Sequence, residues 1–219
     1  MKISISLLLI LFLFSCQEDK TIERVLPIIG ERDVEYSTVD GKEVADTIYH
    51  TVPSFNYLNQ DSTWFKSSSI EDKIWIVNFF FTSCPTICPP MMTNMGYAHS
   101  KTEDISEHLA FISFSIDPTI DTPSHLKEYI KQRGFSTENW NFLSGDEKET
   151  HLIAKAFFNG AERNEEAEGG FGHTDYIVLV DTHGYVRGIY KGTEQEQMDI
   201  LNQDVRKLLK VEYGINVGE

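Results

Sequence analysis

The chain of 219 residues has little cysteine, only three, and little positive charge, 19 Lys and Arg against 34 Asp and Glu. Three cysteines are too few for a disulfide scaffold, and an odd number leaves one thiol to be accounted for. The formal charge of −15 argues against a nucleic-acid partner, since such binders need clustered Lys and Arg to displace counterions from phosphates. No such cluster occurs. Proline is also sparse: the seven stand at 27, 53, 85, 89, 90, 118 and 123, and none follows. Internal repeats are absent, and Ser67-Ser68-Ser69 is the only low-complexity stretch. The apolar-rich run from Ile3 to Phe14 is too short to span a bilayer, which takes about 20 helical residues. What remains, at 41% hydrophobic, is the composition of one globular domain.

The N-terminal run behind Met1-Lys2 reads instead as the core of a signal peptide. Leu13-Phe14-Ser15-Cys16 resembles the bacterial lipobox, whose cysteine is lipidated on sulfur and becomes the first residue of the mature chain. The alternative is a signal peptide cleaved elsewhere and an incidental Cys16. The organisation expected is a signal peptide over 1–15, a lipidated cysteine and flexible tether over 16–33, and a domain over 34–219. No transmembrane helix is expected after it. The domain would open with a hairpin, since Val34, Tyr36, Val39 and Val44 flank Asp40-Gly41, a favoured turn dipeptide.

Ile74 to Phe81 is a nearly unbroken apolar run rich in β-branched and aromatic residues, the pattern of a central strand covered on both faces. Phe111 to Ile116 and Tyr176 to Val180 read as further strands. Tyr185 to Tyr190 would pair with the latter across the turn Asp181-Thr182-His183-Gly184. Helical patterns lie between: Met92, Met95 and Ile105 mark one; Leu126, Tyr129 and Ile130 a second, opened by Thr122-Pro123; Ile153, Ala154, Phe157 and Phe158 a third; Ile200, Leu201, Val205, Leu208 and Leu209 a fourth. This order predicts an α/β protein, a thioredoxin-like three-layer α/β/α sandwich with an N-terminal hairpin extension.

Cys84 and Cys88 fall directly after the first buried strand, in Thr82-Ser83-Cys84-Pro85-Thr86-Ile87-Cys88-Pro89-Pro90, where open α/β sheets build their sites. A proline after each cysteine biases it away from the α region, so the pair is expected in a tight loop with the helix starting at Pro89 or Pro90. The positive end of that helix favours thiolate, the form that acts as nucleophile and metal ligand. Two thiols so spaced can close a disulfide or hold one soft ion. A purely structural disulfide is a poor explanation, because so short a loop removes little unfolded-state entropy. Met91 and Met92 offer thioethers, although methionines opening an amphipathic helix are ordinarily core.

A thiolate pair selects Cu(I), zinc or iron–sulfur clusters, and an added imidazole lets the site also hold Cu(II). His99, His108, His125 and His151, in or beside predicted helices, and His183, in a turn, are expected in solvated or capping roles; His50 is uninformative. His173 differs. It stands in Gly169-Gly170-Phe171-Gly172-His173, a glycine-rich loop just before a strongly apolar strand, where backbone can approach closely. Thioredoxin-type dithiol enzymes carry a cis-proline at that place, and this chain has His173 instead.

Together, Cys84-Pro85-Thr86-Ile87-Cys88-Pro89, Ser115-Ile116-Asp117-Pro118 with Asp121-Thr122, and His173 ahead of Tyr176-Ile177-Val178-Leu179-Val180-Asp181 resemble the Sco/SenC family of copper proteins. The resemblance runs from about Val52 to Leu209 and includes the entry Val52-Pro53-Ser54-Phe55. It implies a membrane-anchored thioredoxin-fold protein that binds copper, Cu(I) and/or Cu(II), through Cys84, Cys88 and His173. The function implied is a copper chaperone that delivers copper to, or matures, the CuA centre of cytochrome c oxidase subunit II. Family members also carry thiol–disulfide roles, so the alternative is a reductase using a Cys84–Cys88 redox-active disulfide to keep the CuA cysteines reduced; a thiol peroxidase is a third reading. The implied partners are subunit II, an upstream copper donor and, through lipid on Cys16, a membrane, with the domain in the periplasm of a bacterial cell envelope. Asp117 and Asp121 would orient the site or a partner, with helix capping the alternative for Asp121 and Thr122. Glu162 to Glu168 would steer a cationic partner or simply form a solvated loop. An acidic residue often precedes the histidine in the family, whereas Gly172 does so here.

Overall fold

The computed structural model describes residues 25–217; Cys16 and the expected signal peptide lie outside them. Seven strands form one mixed sheet. In chain order they are β3 (Asn56–Asn59), β4 (Trp64–Lys66), β5 (Ile74–Phe80), β6 (Leu109–Ser115), β7 (Trp140–Ser144), β10 (Tyr176–Val180) and β11 (Val186–Lys191). Across the sheet the order is β11-β10-β5-β6-β7-β3-β4, with β5, β6 and β7 parallel and their flanking strands antiparallel. Every residue of β5 and β6 is buried, which explains their near-continuous apolar composition.

Helices α1 (Cys88–Ser100), α2 (Pro123–Arg133), α3 (Glu147–Ala156) and α4 (Gln195–Lys207) cover the two faces. On one, Asn78 of β5 meets Met92 of α1, Phe80 meets Tyr129 of α2, and α4 packs on α1. On the other, Phe79 and Phe114 stack and meet Phe157 at the end of α3, with Phe55 and Tyr57 edge-on to Phe114. The result is the thioredoxin-like α/β/α sandwich. Two small antiparallel ribbons stand outside the sheet: the hairpin β1 (Arg32–Val39) with β2 (Lys42–Tyr49), and β8 (Ala161–Arg163) with β9 (Phe171–His173).

Several boundaries differ from the sequence reading. The strand β7 carries too short an apolar pattern, Trp-Asn-Phe-Leu-Ser, to announce itself, and it is recruited by its parallel neighbour β6. Ile105 does not extend α1; it is buried in a separate 3-10 turn, Glu103–His108. Phe158 follows α3 with φ of +56°, outside the helix. The spacer expected up to residue 33 also ends sooner. Ile28 is buried, Ile29 bridges Val186, and the carbonyls of Leu26 and Pro27 accept bonds from the Arg187 guanidinium. That guanidinium is itself clamped by Asp181 at 2.8 Å and Glu212 at 2.5 Å, so the N-terminal segment is held by a buried ion cluster.

The topology sets two poles. Cys84 and Cys88 follow the carboxyl end of β5. The hairpin β1–β2 joins at the opposite end, where Tyr49 packs edge-on against Tyr185 and Val52 N–H bonds to Gly184 in the β10–β11 turn, beside the start of β5. Among the described residues no helix is long and apolar enough to cross a membrane.

Candidate metal centre

The chain leaves β5 through Phe81 and Thr82 and turns so that the Cys84 N–H bonds to the Phe81 carbonyl at 3.3 Å. Helix α1 then starts at Cys88, earlier than the following prolines suggest. Pro89 and Pro90 are accommodated because the first helical N–H groups have no intrahelical acceptor, so their loss is free of penalty. Only Cys84 therefore lies in the loop; Cys88 occupies the first position of the helix. Both thiols are free and buried, at 6% and 2% exposure.

His173 arrives on β9, which is paired only with β8. Its Nε2 lies 3.3 Å from Sγ of Cys88 and 3.9 Å from Sγ of Cys84. Its Nδ1 lies 3.0 Å from the Thr174 carbonyl. A carbonyl only accepts, so Nδ1 carries the proton and the bare Nε2 lone pair faces the two sulfurs. The three donor atoms lie within 4.8 Å of one another, the one cluster of its kind among the described residues. The sequence reading reached all three residues, and the fold brings them together.

The two thiols are electrostatically unequal. The Cys88 thiol donating toward Cys84 holds the Cys84 thiol down at about 4 against its own burial, with backbone N–H groups of the loop adding to the effect. Burial pushes the Cys88 thiol up, and its bond to Cys84 raises it further. Burial thus outweighs the helix-terminus effect at Cys88. Thiolate character resides on the residue nearer the surface.

The support around the donors was not legible as such in the sequence. Phe81 and Phe171 pack together, and Phe81 lies edge-on to the His173 ring at 5.4 Å between centroids. Gly169 has φ of +84°, and a Cβ there would lie 2.8 Å from the Phe81 ring, so this glycine is required by both conformation and space. Arg163 of β8 pairs with both oxygens of Glu147 at 2.6 Å, fastening the ribbon that carries His173 to α3. A mouth of about 310 Å³ opens over Cys84 and His173, rimmed by Ile87, Glu168 and Phe171.

Asp117 and Asp121 are buried but do not join the donor cluster. Asp117 accepts a bond from the Thr119 hydroxyl. Asp121 does not cap α2; Thr122 does, accepting from the His125 N–H at 3.4 Å. The Asp121 carboxylate accepts instead from the Thr82 N–H at 3.0 Å, the Thr82 hydroxyl and the Ser115 hydroxyl at 2.6 Å. It ties the root of the cysteine loop to the end of β6. Met91 and Met92 are core, with the Met92 sulfur accepting from Asn78 at 3.1 Å.

Three other histidines are held by bonds to residues distant in sequence: His50 to the Ala156 carbonyl, His125 to the Thr82 hydroxyl and His151 to the Ile116 carbonyl. His99 departs from expectation. It is buried between Phe111 and Trp140, with Nε2 2.7 Å from Asn139. The segment from Glu162 to Glu168 begins within β8, runs on toward β9, and contributes Ala167 and Glu168 to the mouth.

The model of the SCO1/SenC family matches residues 44–210, a span that contains all three donors. The chain belongs to the SCO1/SenC family. A SCO1 protein homolog of Bacillus subtilis (strain 168) is 32% identical over 167 residues, which is 76% of this chain and 86% of that protein. Among solved structures, a SCO1/SenC family lipoprotein from Bacillus anthracis str. Ames is similar with a TM-score of 0.67 and 30% identity, covering 72% of this chain and 94% of that one. The structure of BsSco, described as a member of the Sco family of cytochrome c oxidase assembly proteins with a disulfide switch, gives a TM-score of 0.64 at 32% identity, over 72% and 92% of the two chains.

Proposed function

We propose that this SCO1/SenC protein is a copper-binding chaperone in cytochrome c oxidase assembly, carrying copper as cargo on Cys84, Cys88 and His173 and delivering it to the CuA centre of subunit II. The carrying observation is the donor set: two thiols and a bare imidazole nitrogen converging from one loop, one helix terminus and one ribbon. Such soft sulfur suits Cu(I), and the imidazole adds a ligand suited to Cu(II), so the residues present fit the ion in either state. The Nδ1–H bond to the Thr174 carbonyl is the kind of outer partner that fixes a ligating histidine in its tautomer. Because bound thiols must shed their protons, affinity should fall as the pH is lowered.

The test is titration of the reduced protein with Cu(I) and Cu(II). One equivalent should bind, and His173→Ala should alter the Cu(II) spectrum. Absence of stoichiometric binding, or a spectrum indifferent to His173, overturns the reading. An upstream donor protein would have to load the site.

A second reading is favoured by the inequality of the thiols. Cys84, held as thiolate near the mouth, has the character of an attacking nucleophile, and buried Cys88 that of the resolving thiol. Acting on the disulfide of the CuA cysteines, Cys84 sulfur would form a mixed disulfide, and Cys88 would displace the reduced target while Cys84–Cys88 becomes oxidised. Cys88→Ser should then trap the mixed disulfide, and failure to do so with Cys84 intact counts against it.

The lipid anchor belongs to the same proposal. Acylated Cys16 would hold the domain at the periplasmic side of a bacterial membrane, and Cys16→Ser should release the protein to the soluble fraction. Retention in the membrane would refute the anchor.

A further inference from the structure

The hairpin β1–β2 stands clear of the domain. Every residue from Arg32 to Ile48 is exposed, including Val34 at 54% and Tyr36 at 65%. Its strands pair only with each other, and a two-stranded ribbon alone is marginal in water. Asp40 and Gly41, with φ of +50° and +74°, form the two-residue connection typical of tight hairpins. Val39↔Lys42 is then the closing hydrogen-bonded pair, and the ladder alternates from it. Ser37↔Val44, Glu35↔Asp46 and Asp33↔Ile48 exchange backbone bonds, whereas Thr38↔Glu43, Tyr36↔Ala45 and Val34↔Thr47 do not.

The backbone N–H and C=O groups of Val34, Tyr36 and Thr38 therefore point away from β2. On the β2 side the outward Thr47 N–H is taken by the Asp46 carboxylate at 2.8 Å, which blunts that edge. The β1 edge carries no such cover among the described residues. Its side chains are sorted by the strand's alternation. One face offers Val34 and Tyr36, beside Ala45 and Thr47 of β2. The other carries Asp33 and Glu35 along the β1 edge, with Asp46 directly opposite Glu35, a like-charge pairing that weakens a ladder, and also bears the exposed Val39, Val44 and Ile48.

We propose that the β1 edge takes a third strand from another protein, one whose residues alternate between apolar and Lys or Arg. The apolar set would cover Val34 and Tyr36, and the cations would stand beside Asp33 and Glu35 and relieve the Glu35–Asp46 repulsion. Strand addition supplies main-chain affinity, and the alternating side chains supply the selection. Arg32–Tyr49 contains five acidic and two basic residues, which disfavours an anionic bilayer as the occupant and sets acid against acid in a second copy. The SCO1/SenC match begins at residue 44, so β1 lies outside the segment it accounts for. Because the hairpin joins at the pole opposite Cys84, a strand docked on it leaves the metal-centre mouth open.

The test uses the full-length protein in detergent micelles and amide hydrogen exchange at Val34, Tyr36 and Thr38. Two synthetic eight-residue peptides serve as probes, one alternating lysine with valine and threonine, the other with glutamate in place of every lysine. The lysine peptide should slow exchange at these amides at least tenfold, and the glutamate peptide should not. Tyr36→Pro removes an outward N–H without deleting a ladder bond, and should abolish the slowing while copper stoichiometry stays unchanged. Should Tyr36→Pro unravel the ribbon, Glu35→Lys is the second variant, expected to weaken the lysine peptide alone. Equal slowing by both peptides, or by neither, overturns the proposal. So does slowing that appears without peptide as protein concentration rises, or on adding phosphatidylglycerol vesicles.

Discussion

Sγ of Cys88 stands 3.3 Å from Nε2 of His173, although 85 residues separate them. The contact joins the first turn of α1 to the β8–β9 ribbon, two elements that share no backbone pairing. Whatever moves the ribbon moves the third donor while leaving the two sulfurs in place. The bonds that hold the ribbon and the cysteine loop are therefore where the centre is open to test.

The inequality of the thiols sets their reactivity. With Cys84 lowered to about 4, its thiolate is the dominant form from pH 5 upward, and the buried, raised Cys88 stays protonated. Iodoacetamide should label Cys84 first, at a rate that is flat between pH 6 and 8 and falls only as the pH approaches about 4. Peptide mapping of the singly labelled protein reads the site. A rate that climbs tenfold per pH unit through neutrality would show an ordinary thiol.

Asp121→Ala removes the acceptor shared by the Thr82 N–H and the Thr82 and Ser115 hydroxyls. Leaving such buried donors unpaired costs on the order of 1–3 kcal/mol. Asp121→Asn retains one acceptor oxygen and a group able to donate to a hydroxyl, so it should lose less. Chemical denaturation gives the stabilities, and copper titration of both variants should show weaker binding for alanine than for asparagine.

Gly169→Ala places a methyl group against the Phe81 ring in a backbone conformation that disfavours side chains. The left-handed geometry alone costs about 1–2 kcal/mol. The strain falls between Phe81 and the ribbon that holds His173, so copper affinity should drop while the mid-sheet amides of β5 and β6 keep their exchange protection. Calorimetric titration together with hydrogen exchange distinguishes this local effect from global loss.

Arg187→Met leaves Asp181 and Glu212 buried without their cation and frees the Leu26 and Pro27 carbonyls. Breaking a buried ion cluster in this way costs about 3–5 kcal/mol. Burial alone would raise the Glu212 carboxyl, but Arg187 and the Val25 N–H outweigh it, and the group sits below its ordinary value of 4.5. A carboxyl lowered in the folded state adds stability that is present above that ordinary value and lost as pH falls. The gap between wild type and variant should therefore be widest near neutrality and narrow below about pH 4, as read from denaturant midpoints along a pH series.

Much of this protein was determined by sequence because much of it is local. The apolar run from Ile74 to Phe81, broken only by Asn78, leaves few choices but a central strand, and Asp40-Gly41 dictates a hairpin turn through the conformations it tolerates. The two cysteines and the glycine loop with His173 were visible because each sits at a punctuated junction beside a strong strand. Their convergence came from the resemblance and needed the fold to bring Nε2 to the sulfurs. Tertiary structure alone decided the rest. It recruited β7 to an existing edge, buried His99 between two aromatic rings, started α1 at Cys88 and turned Asp121 from a helix cap into the tie of the cysteine loop. It also pinned residues 26 and 27 to Arg187, a partner some 160 residues away that no local pattern announces. The physical reason is common to all of these: periodicity and turn chemistry act over a few residues, whereas burial and hydrogen-bond partnership are settled by what lies across the core, and that is set only once the whole chain has folded.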